Sequence, residues 1–323
     1  MVSQGLQLPP VAVLGMIGDM KSFIDLHPDV AAALAENRPV VALESTVITH
    51  GLPHPHNLET ARAVEATIRA AGATPATIAV LSGRICVGLT DAQLVTLATR
   101  PLAAVRKCSR RDFPLVIGRR EDGATTVAGT MIVAHQAGIP VFATGGIGGV
   151  HRGHPFDVSA DLIELGRTPV CVISSGPKSI LDLHATREVL ETNGVPVLGW
   201  GTDEMPAFYT PRSGVAVDAR VDSVAEAAAI VAAHLRGGLQ NGLLLTVPVP
   251  AGQALAADEV ERVTTQATAE ADAAGIHGFA TTPWLLNRVL ELTAGRSLTT
   301  NIALLRNNAR VAAELAIALR APG

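Results

Sequence analysis

From Pro39 onward, short β-branched runs alternate with longer alanine-rich stretches whose apolar residues recur at helical spacing. Short continuous apolar runs suit strands buried on both sides, and amphipathic stretches between them suit covering helices, so the rhythm predicts an α/β sheet with helices on both faces. The strands fall at Val40–Glu44, Thr77–Leu81, Val141–Thr144, Val170–Ser174, Val197–Trp200 and Leu243–Val247. Helices are predicted at Leu58–Ala71, Asp91–Ala98, Thr125–Gln136, Ala160–Leu165, Ser179–Asn193 and Val224–Leu235. Gly72 and the pair Gly237-Gly238 supply left-handed stops, and Ser223 with Glu226 has the spacing of a capping box. From about Asp258 to Arg320 the pattern is helical without strands, and no Pro/Gly/Ser-rich linker precedes it. A single catalytic-size domain over residues 21–323 follows, with residues 1–20 an N-terminal extension whose order the sequence leaves open.

Charge and cysteine content narrow the partners. With 25 Lys and Arg against 29 Asp and Glu, the net charge is −4 and the electrostatic footprint of a nucleic-acid binder is missing. Three widely spaced cysteines, Cys86, Cys108 and Cys171, read as buried small hydrophobes in a reducing cytoplasm. The first residues lack a basic leader, and no uninterrupted apolar run reaches the roughly 18 residues of a membrane span, so a cytoplasmic protein is expected.

Several segments carry residues suited to chemistry. Lys178 follows the apolar run Val170–Ser174 and the Gly176-Pro177 turn, at the predicted first turn of a helix. The positive end of a helix dipole disfavours an ammonium, so the lysine is a candidate amine nucleophile; a solvated first-turn lysine fits the same segment. Glu44 ends an apolar strand, where a carboxylate needs a partner or a task, and where burial raises its pKa toward a general acid's range. Arg106, Lys107, Arg110 and Arg111 with Ser109 form the densest cationic run, suited to a phosphate with Asp112 orienting one arginine, or to a solvated turn. Thr125, Thr126 and Val127 then offer hydroxyls and amides at a helix start.

The loop Thr144 to Gly153 contains Gly145-Gly146-Ile147-Gly148-Gly149, which permits close backbone approach but lacks dinucleotide or P-loop spacing. Asp157 and Asp161 stand four residues apart around a helix start and suit a hard divalent ion such as Mg²⁺ or Mn²⁺, or an N-terminal cap. His50, His54 and His56 are separated by Pro53 and Pro55, an extended loop ill suited to zinc geometry.

Taken together, Val41–Thr46, His50–Pro53, Pro75–Ala79, Ser109–Asp112, Gly123–Val127, Phe142–Gly153, Phe156–Leu162, Lys178–Asp182, Pro206–Phe208 and Asn301–Ile302 resemble, in order, the pseudouridine-5′-phosphate glycosidase or indigoidine-synthase-A-like family. The resemblance spans about residues 25 to 320. It implies a three-layer α/β/α sandwich with a mixed, mostly parallel central sheet, assembled as a homotrimer. It also implies an enzyme that reversibly splits the C–C glycosidic bond of pseudouridine 5′-phosphate into uracil and ribose 5-phosphate. On this pattern Lys178 matches the nucleophile, Glu44 the proton donor and Asp157 the ligand of Mn²⁺, with Mg²⁺ or another divalent ion as substitutes. Lys107, Val127, Ser159, Ala160 and Asp161 match substrate-binding positions, joined by Thr126, Thr144, His151 and Asn301 facing phosphate, base or sugar. Two departures stand out: only His154-Pro155 separates Gly153 from Phe156, and Ser174-Ser175-Gly176-Pro177 precedes the lysine where other members commonly have Gly-Ala.

Other functions compatible with the residues are a C-glycosynthase joining ribose 5-phosphate to another aromatic nucleophile, a lysine-imine aldolase and a sugar-phosphate sensor. A sensor has no need of both Lys178 and Glu44.

Overall fold

The computed structural model describes residues 20–276, 278 and 281–320. The extension expected at 1–20 therefore lies outside the described residues, apart from Met20. Seven strands run parallel as the spine of one sheet, in the order Thr74–Leu81, Val40–Leu43, Val141–Ala143, Cys171–Ser174, Leu243–Thr246, Val197–Trp200 and Ala219–Val221. The six strands read from the sequence are the first six of these. Ala219–Val221 escaped that reading because this edge strand is mostly exposed and polar.

Side-chain alternation divides the core in two. Val40, Ala42, Phe142, Val172 and Leu244 face one layer, which holds the helices Pro28–Ala35, Phe113–Arg119, Val127–Gln136, Ala160–Leu165 and Leu183–Thr192. Val41, Leu43, Val141, Ile173 and Leu245 face the other, made by His56–Ala70, Val224–Arg236, Ala257–Ala273, Thr281–Leu292 and Arg296–Ala318. Each of the Val, Leu, Ile and Phe side chains among these, taken fully from water, contributes roughly 1.5–3 kcal/mol. The product is a three-layer sandwich around a mixed, mostly parallel sheet.

The mixed part comes from one long strand. Beyond Thr77, Thr74–Leu81 pairs antiparallel with Arg84–Val87 on one side and with Asp122–Thr125 on the other. Asp122–Thr125 in turn carries Val105–Cys108 as a parallel neighbour, and Ile24–Leu26 runs parallel to Arg84–Val87. A separate ribbon joins Leu181–Asp182, Val150–His151 and His154–Val158. The shortened stretch His154-Pro155 is thus the start of a ribbon strand.

Two local expectations are corrected. Lys178 does not begin a helix: the chain turns, forms Leu181–Asp182, and the helix starts at Leu183 with Asp182 accepting from the Ala185 amide. The helix-dipole argument for this lysine therefore falls away. The run from Arg106 is a solvated turn only in its second half: Arg106 and Lys107 lie in the strand Val105–Cys108, where alternation sends successive side chains to opposite faces, and Arg110–Asp112 form a short 3-10 turn.

Helix punctuation is closer to expectation. Gly72 and Gly238 take the left-handed conformation after their helices, and Ser223 accepts from the Glu226 amide. The Glu226 carboxylate reaches one residue further back, to the Asp222 amide, instead of closing the box. All three cysteines are buried and free.

Candidate active site

Because the spine is parallel, the carboxyl ends of its strands share one edge, and functional side chains gather there. Glu44 follows Val40–Leu43, Thr144 follows Val141–Ala143, and Ser175 to Lys178 follow Cys171–Ser174. The segment after Glu44 is stitched to the neighbouring strand: Ser45 Oγ accepts from the Thr125 amide at 2.9 Å, and Thr46 Oγ1 donates to the Thr125 carbonyl at 2.7 Å. Those two bonds leave Glu44 directed at the edge.

The Thr144 hydroxyl donates to Glu44 Oε1. Glu44 is half-buried, and the loss of solvation, opposed by the positive charges of Lys178 and Lys107 and abetted by Asp161, pushes its pKa above the ordinary range. Lys178 is half-buried, and its Nζ donates to the Gly146 carbonyl at 2.8 Å. Its backbone amide donates to the Ile147 carbonyl at 3.1 Å, while the Ile147 amide donates to Gly176 at the same distance. The lysine loop and the glycine loop are therefore laced together.

Burial, and next the charge of Lys178, push the Lys107 ammonium below its usual range, against the pull of Asp161 and Glu44. His151, on its short strand, is held low by burial despite Asp157, with Lys107 and Lys178 acting in the same direction as burial. His50 falls to about 4 through burial and Lys107, so its imidazole is neutral at physiological pH. Glu44, Lys107, Asp161 and Lys178 thus occupy one electrostatic neighbourhood, bordered by two histidines whose charged forms burial disfavours.

The glycine loop works by contact. A Cβ on Gly146 would lie 2.6 Å from the Phe208 ring, on Gly148 2.2 Å from Ser159 Oγ, and on Gly149 2.4 Å from Thr186 Oγ1. Gly176, with φ of +80°, would put a Cβ 2.1 Å from the Pro206 carbonyl. The loop enters the strand Val150–His151 rather than a helix, unlike a dinucleotide-binding turn.

Asp161 is a builder of this site. Its two oxygens accept the Ala128 amide and the Gly148 amide, each at 2.9 Å. Ser159 Oγ caps the helix by accepting from the Asp161 amide, and Ala160 is exposed at its first position. Thr126 Oγ1 caps Val127–Gln136 and lies 3.0 Å from Ser109 Oγ. Val127 opens that helix, where a backbone amide has no intrahelical acceptor.

Of the cationic run, Lys107 alone turns to the site. Arg110 grips the fully buried Glu164, Arg106 lies 3.3 Å from Glu121, and Arg111 stands exposed with Asp112 3.9 Å away. Of the four cations expected to hold a phosphate, Lys107 alone keeps that candidacy, while the Ser109 and Thr126 hydroxyls stand 3.0 Å from each other.

Two cavities lie beside this neighbourhood, each reaching one of the histidines but none of Glu44, Lys107, Asp161 or Lys178. One, of about 470 Å³, is lined by His151, Asp157, Ile180, Thr268 and Asp272 among others. The second, of about 490 Å³, includes His50, Asn57, Asn287 and Asn301. Asn301 also abuts the glycine loop, its Oδ1 3.4 Å from where a Gly145 Cβ would sit. Among the described residues no three His, Cys, Asp or Glu side chains converge to hold a metal. With Asp161 engaged by two amides, the donor set at Asp157 is one half-buried carboxylate, which suits an ion that keeps most of its water.

Asn308 was not singled out in the sequence. It is fully buried on Arg296–Ala318 and donates to the Thr144 carbonyl at 2.8 Å. An asparagine on the apolar face of a helix, between Leu304, Leu305 and Ala312, is the signal that marks it.

The family described as indigoidine synthase A like protein matches residues 29–318. A pseudouridine-5′-phosphate glycosidase of Symbiobacterium thermophilum is 54% identical over 308 residues, covering 94% of this chain and 99% of the relative. One of Herpetosiphon aurantiacus is 56% identical over 296 residues, covering 91% and 97%. Among solved structures, the prealnumycin C-glycosynthase AlnA in complex with ribulose 5-phosphate superimposes with a TM-score of 0.85 at 40% identity, covering 94% of this chain and 98% of that one. An indigoidine synthase A-like protein of Thermotoga maritima gives 0.84 at 35% identity, covering 93% and 97%.

Proposed function

From the premise that this chain belongs to the indigoidine synthase A-like family, we propose that it is a pseudouridine-5′-phosphate glycosidase. The reaction splits the C–C glycosidic bond of pseudouridine 5′-phosphate, with water, into uracil and ribose 5-phosphate, and it is reversible. The observation that carries this reading is the gathering of Glu44, Lys178 and Lys107 around one desolvated strand edge, in a chain more than half identical to proteins of that name.

A C-glycoside has no heteroatom leaving group at its anomeric carbon, so a pair of carboxylates working as in ordinary glycoside hydrolysis is poorly suited. A nitrogen lone pair is needed. Lys178, as the free amine, bonds to C1′ while the C1′–O4′ bond breaks and O4′ takes a proton from Glu44; the new C–N centre then sheds its extra proton. The nitrogen lone pair forms C=N as the C1′–C5 bond breaks, C5 keeps the electron pair and is protonated, and uracil leaves. Water adds to the iminium and releases ribose 5-phosphate with the amine restored. Raised pKa suits Glu44 to the donor role, since it holds a proton at a higher pH than an exposed glutamate.

Lys107, with the Ser109 and Thr126 hydroxyls, would hold the 5′-phosphate and so position C1′. Val127, Ser159, Ala160 and Asp161 line the approach through amides and the cap, while Thr144, His151 and Asn301 border base and sugar. A divalent ion, Mn²⁺ in this reading, with Mg²⁺ or another divalent ion as substitutes, would be held by Asp157 and supply positive charge beside the substrate. A homotrimer in the cytoplasm belongs to the same reading. No helix among the described residues is long and apolar enough to cross a membrane.

The similarity to AlnA favours one second reading, in which the same lysine chemistry runs toward synthesis with another aromatic nucleophile. Incubation with pseudouridine 5′-phosphate and Mn²⁺, borohydride trapping and peptide mapping should place a reduced ribose adduct on Lys178. Full activity in Lys178→Ala would overturn the imine route, and formation of a C–C product from ribose 5-phosphate with an aromatic acceptor but not with uracil would favour the second reading.

A further inference from the structure

Glu44 is held by a hydroxyl on one loop, and Lys178 sits on the next. One amide from a third element touches both loops. Asn308 Nδ2 lies 2.8 Å from the Thr144 carbonyl and 3.4 Å from that of Gly145, and 3.2 Å from Ser175 Oγ, which in turn donates to Asn308 Oδ1 at 3.3 Å. Two carbonyl oxygens facing one end of the side chain require a donor there, which fixes the amide's orientation.

From Thr144 the connection is short, since its own hydroxyl holds Glu44. From Ser175 it is equally short: the Ser175 amide donates to the Gly145 carbonyl at 2.9 Å, its carbonyl accepts from Phe208, and three residues on lies Lys178. We propose that Asn308 is the positioning residue of the reaction, setting the acid on one loop against the amine on the other through a single buried amide. The proposal rests on the reading that Glu44 and Lys178 react.

Satisfying the buried loop carbonyls is one reason for an amide here, and holding the two loops at a set separation is a second. Leucine at 308 would avoid desolvating an amide in a layer of Leu304, Leu305, Ala309 and Ala312, and the freed loop carbonyl would then lack its donor. The amide fits a position where separation between two loops matters. Reacting atoms misplaced by a fraction of an ångström lose much of the advantage of proximity.

The test compares Asn308→Asp, Asn308→Leu, Ser175→Ala and, as control, Asn307→Ala, whose side chain bonds the Pro248 carbonyl and Arg310. Asn308→Asp keeps shape and the Ser175 bond while setting an oxygen against the Thr144 carbonyl. Expected for both Asn308 variants is a kcat reduced roughly tenfold to a hundredfold, with KM for pseudouridine 5′-phosphate within about threefold of the parent. Ser175→Ala should lose about threefold to tenfold, and Asn307→Ala should match the parent.

The Thr144 hydroxyl favours the Glu44 carboxylate, against the background of Lys178, Lys107 and Asp161. Loosening Thr144 should therefore move the high-pH limb of kcat, where Glu44 loses its proton, further upward. A folded Asn308→Asp with parental kcat and an unmoved limb overturns the proposal, as does a loss of melting temperature with catalysis intact. Should both Asn308 variants fail to fold, parental kcat in Ser175→Ala overturns it. Borohydride trapping of ribose 5-phosphate on Lys178 separates the two readings: if the parent forms the adduct without cleaving pseudouridine 5′-phosphate, the substrate assignment fails, while slower trapping in the variants still supports positioning and parental rates refute it.

Discussion

Glu44 and Glu164 are chemically the same side chain, the first half-buried and the second fully buried, each beside two cations, and their carboxyls shift in opposite directions. Burial acts on both to favour the protonated form. At Glu164 bonds overcome it: Arg110 Nε donates at 2.9 Å and Nη2 at 2.5 Å, Arg167 at 3.3 Å, and Thr168 adds its hydroxyl, so the pKa falls. At Glu44 one hydroxyl bonds while the lysines act only through space, so burial prevails and the pKa rises. Guanidinium forks that fill every lone pair make a carboxylate a fixed structural anion, whereas unbonded amines leave it a proton to give.

Glu44→Gln offers the strongest way to break this contrast. It should cost activity roughly 10²–10⁴-fold in kcat through loss of the proton donor. Glu164→Gln should leave kcat close to the parent value while lowering stability by about 2 kcal/mol, since it removes the charge from several bonds. Comparable activity losses in the two variants would refute the division.

Stability against pH sharpens it further. Glu164, with a depressed pKa, contributes stability above its ordinary value of 4.5 that disappears as pH falls through the folded-state pKa, so the deficit of Glu164→Gln should vanish in acid. Glu44, with a raised pKa, favours folding only below 4.5 and becomes a liability as pH climbs through its folded-state value. Glu44→Gln should therefore be as stable as the parent in acid and more stable at neutral pH. Denaturant titrations of both variants at acid and neutral pH check the two signs.

The smallest effects concern the cations. Lys107→Ala should raise KM for the phosphorylated substrate about tenfold. Arg111→Ala, with a side chain 88% exposed, should change neither KM nor stability by more than about 0.5 kcal/mol. Equal reaction of unphosphorylated pseudouridine would remove the phosphate role from Lys107.

The same contrast explains what was legible beforehand. Strands buried on both sides announce themselves by continuous apolar residues, and those six neighbours were read correctly. Strands at edges or in the ribbon, such as Ala219–Val221 and His154–Val158, carry polar or exposed residues and gave no such signal. Glu44 was visible because a carboxylate ends an apolar run. The arginines misled because a sequence lists Arg106 to Arg111 side by side, while the fold sends Arg110 to Glu164, 54 residues away. Asn308 was hidden for a related reason: its meaning depends on Thr144, 164 residues earlier.

That separation has a consequence for how the protein is made. Chains emerge from the ribosome at about 5–20 residues per second with their amino-terminal parts first. Glu44, Thr144 and Lys178 are all outside before Arg296–Ala318, the helix bearing Asn308, has been synthesised. An amine and an acid that met early would be free to capture any aldehyde sugar in the cell. If Asn308 on the last helix sets their spacing as proposed, a nascent or carboxy-terminally truncated chain should be chemically quiet, and completion of the polypeptide would itself be the step that arms it.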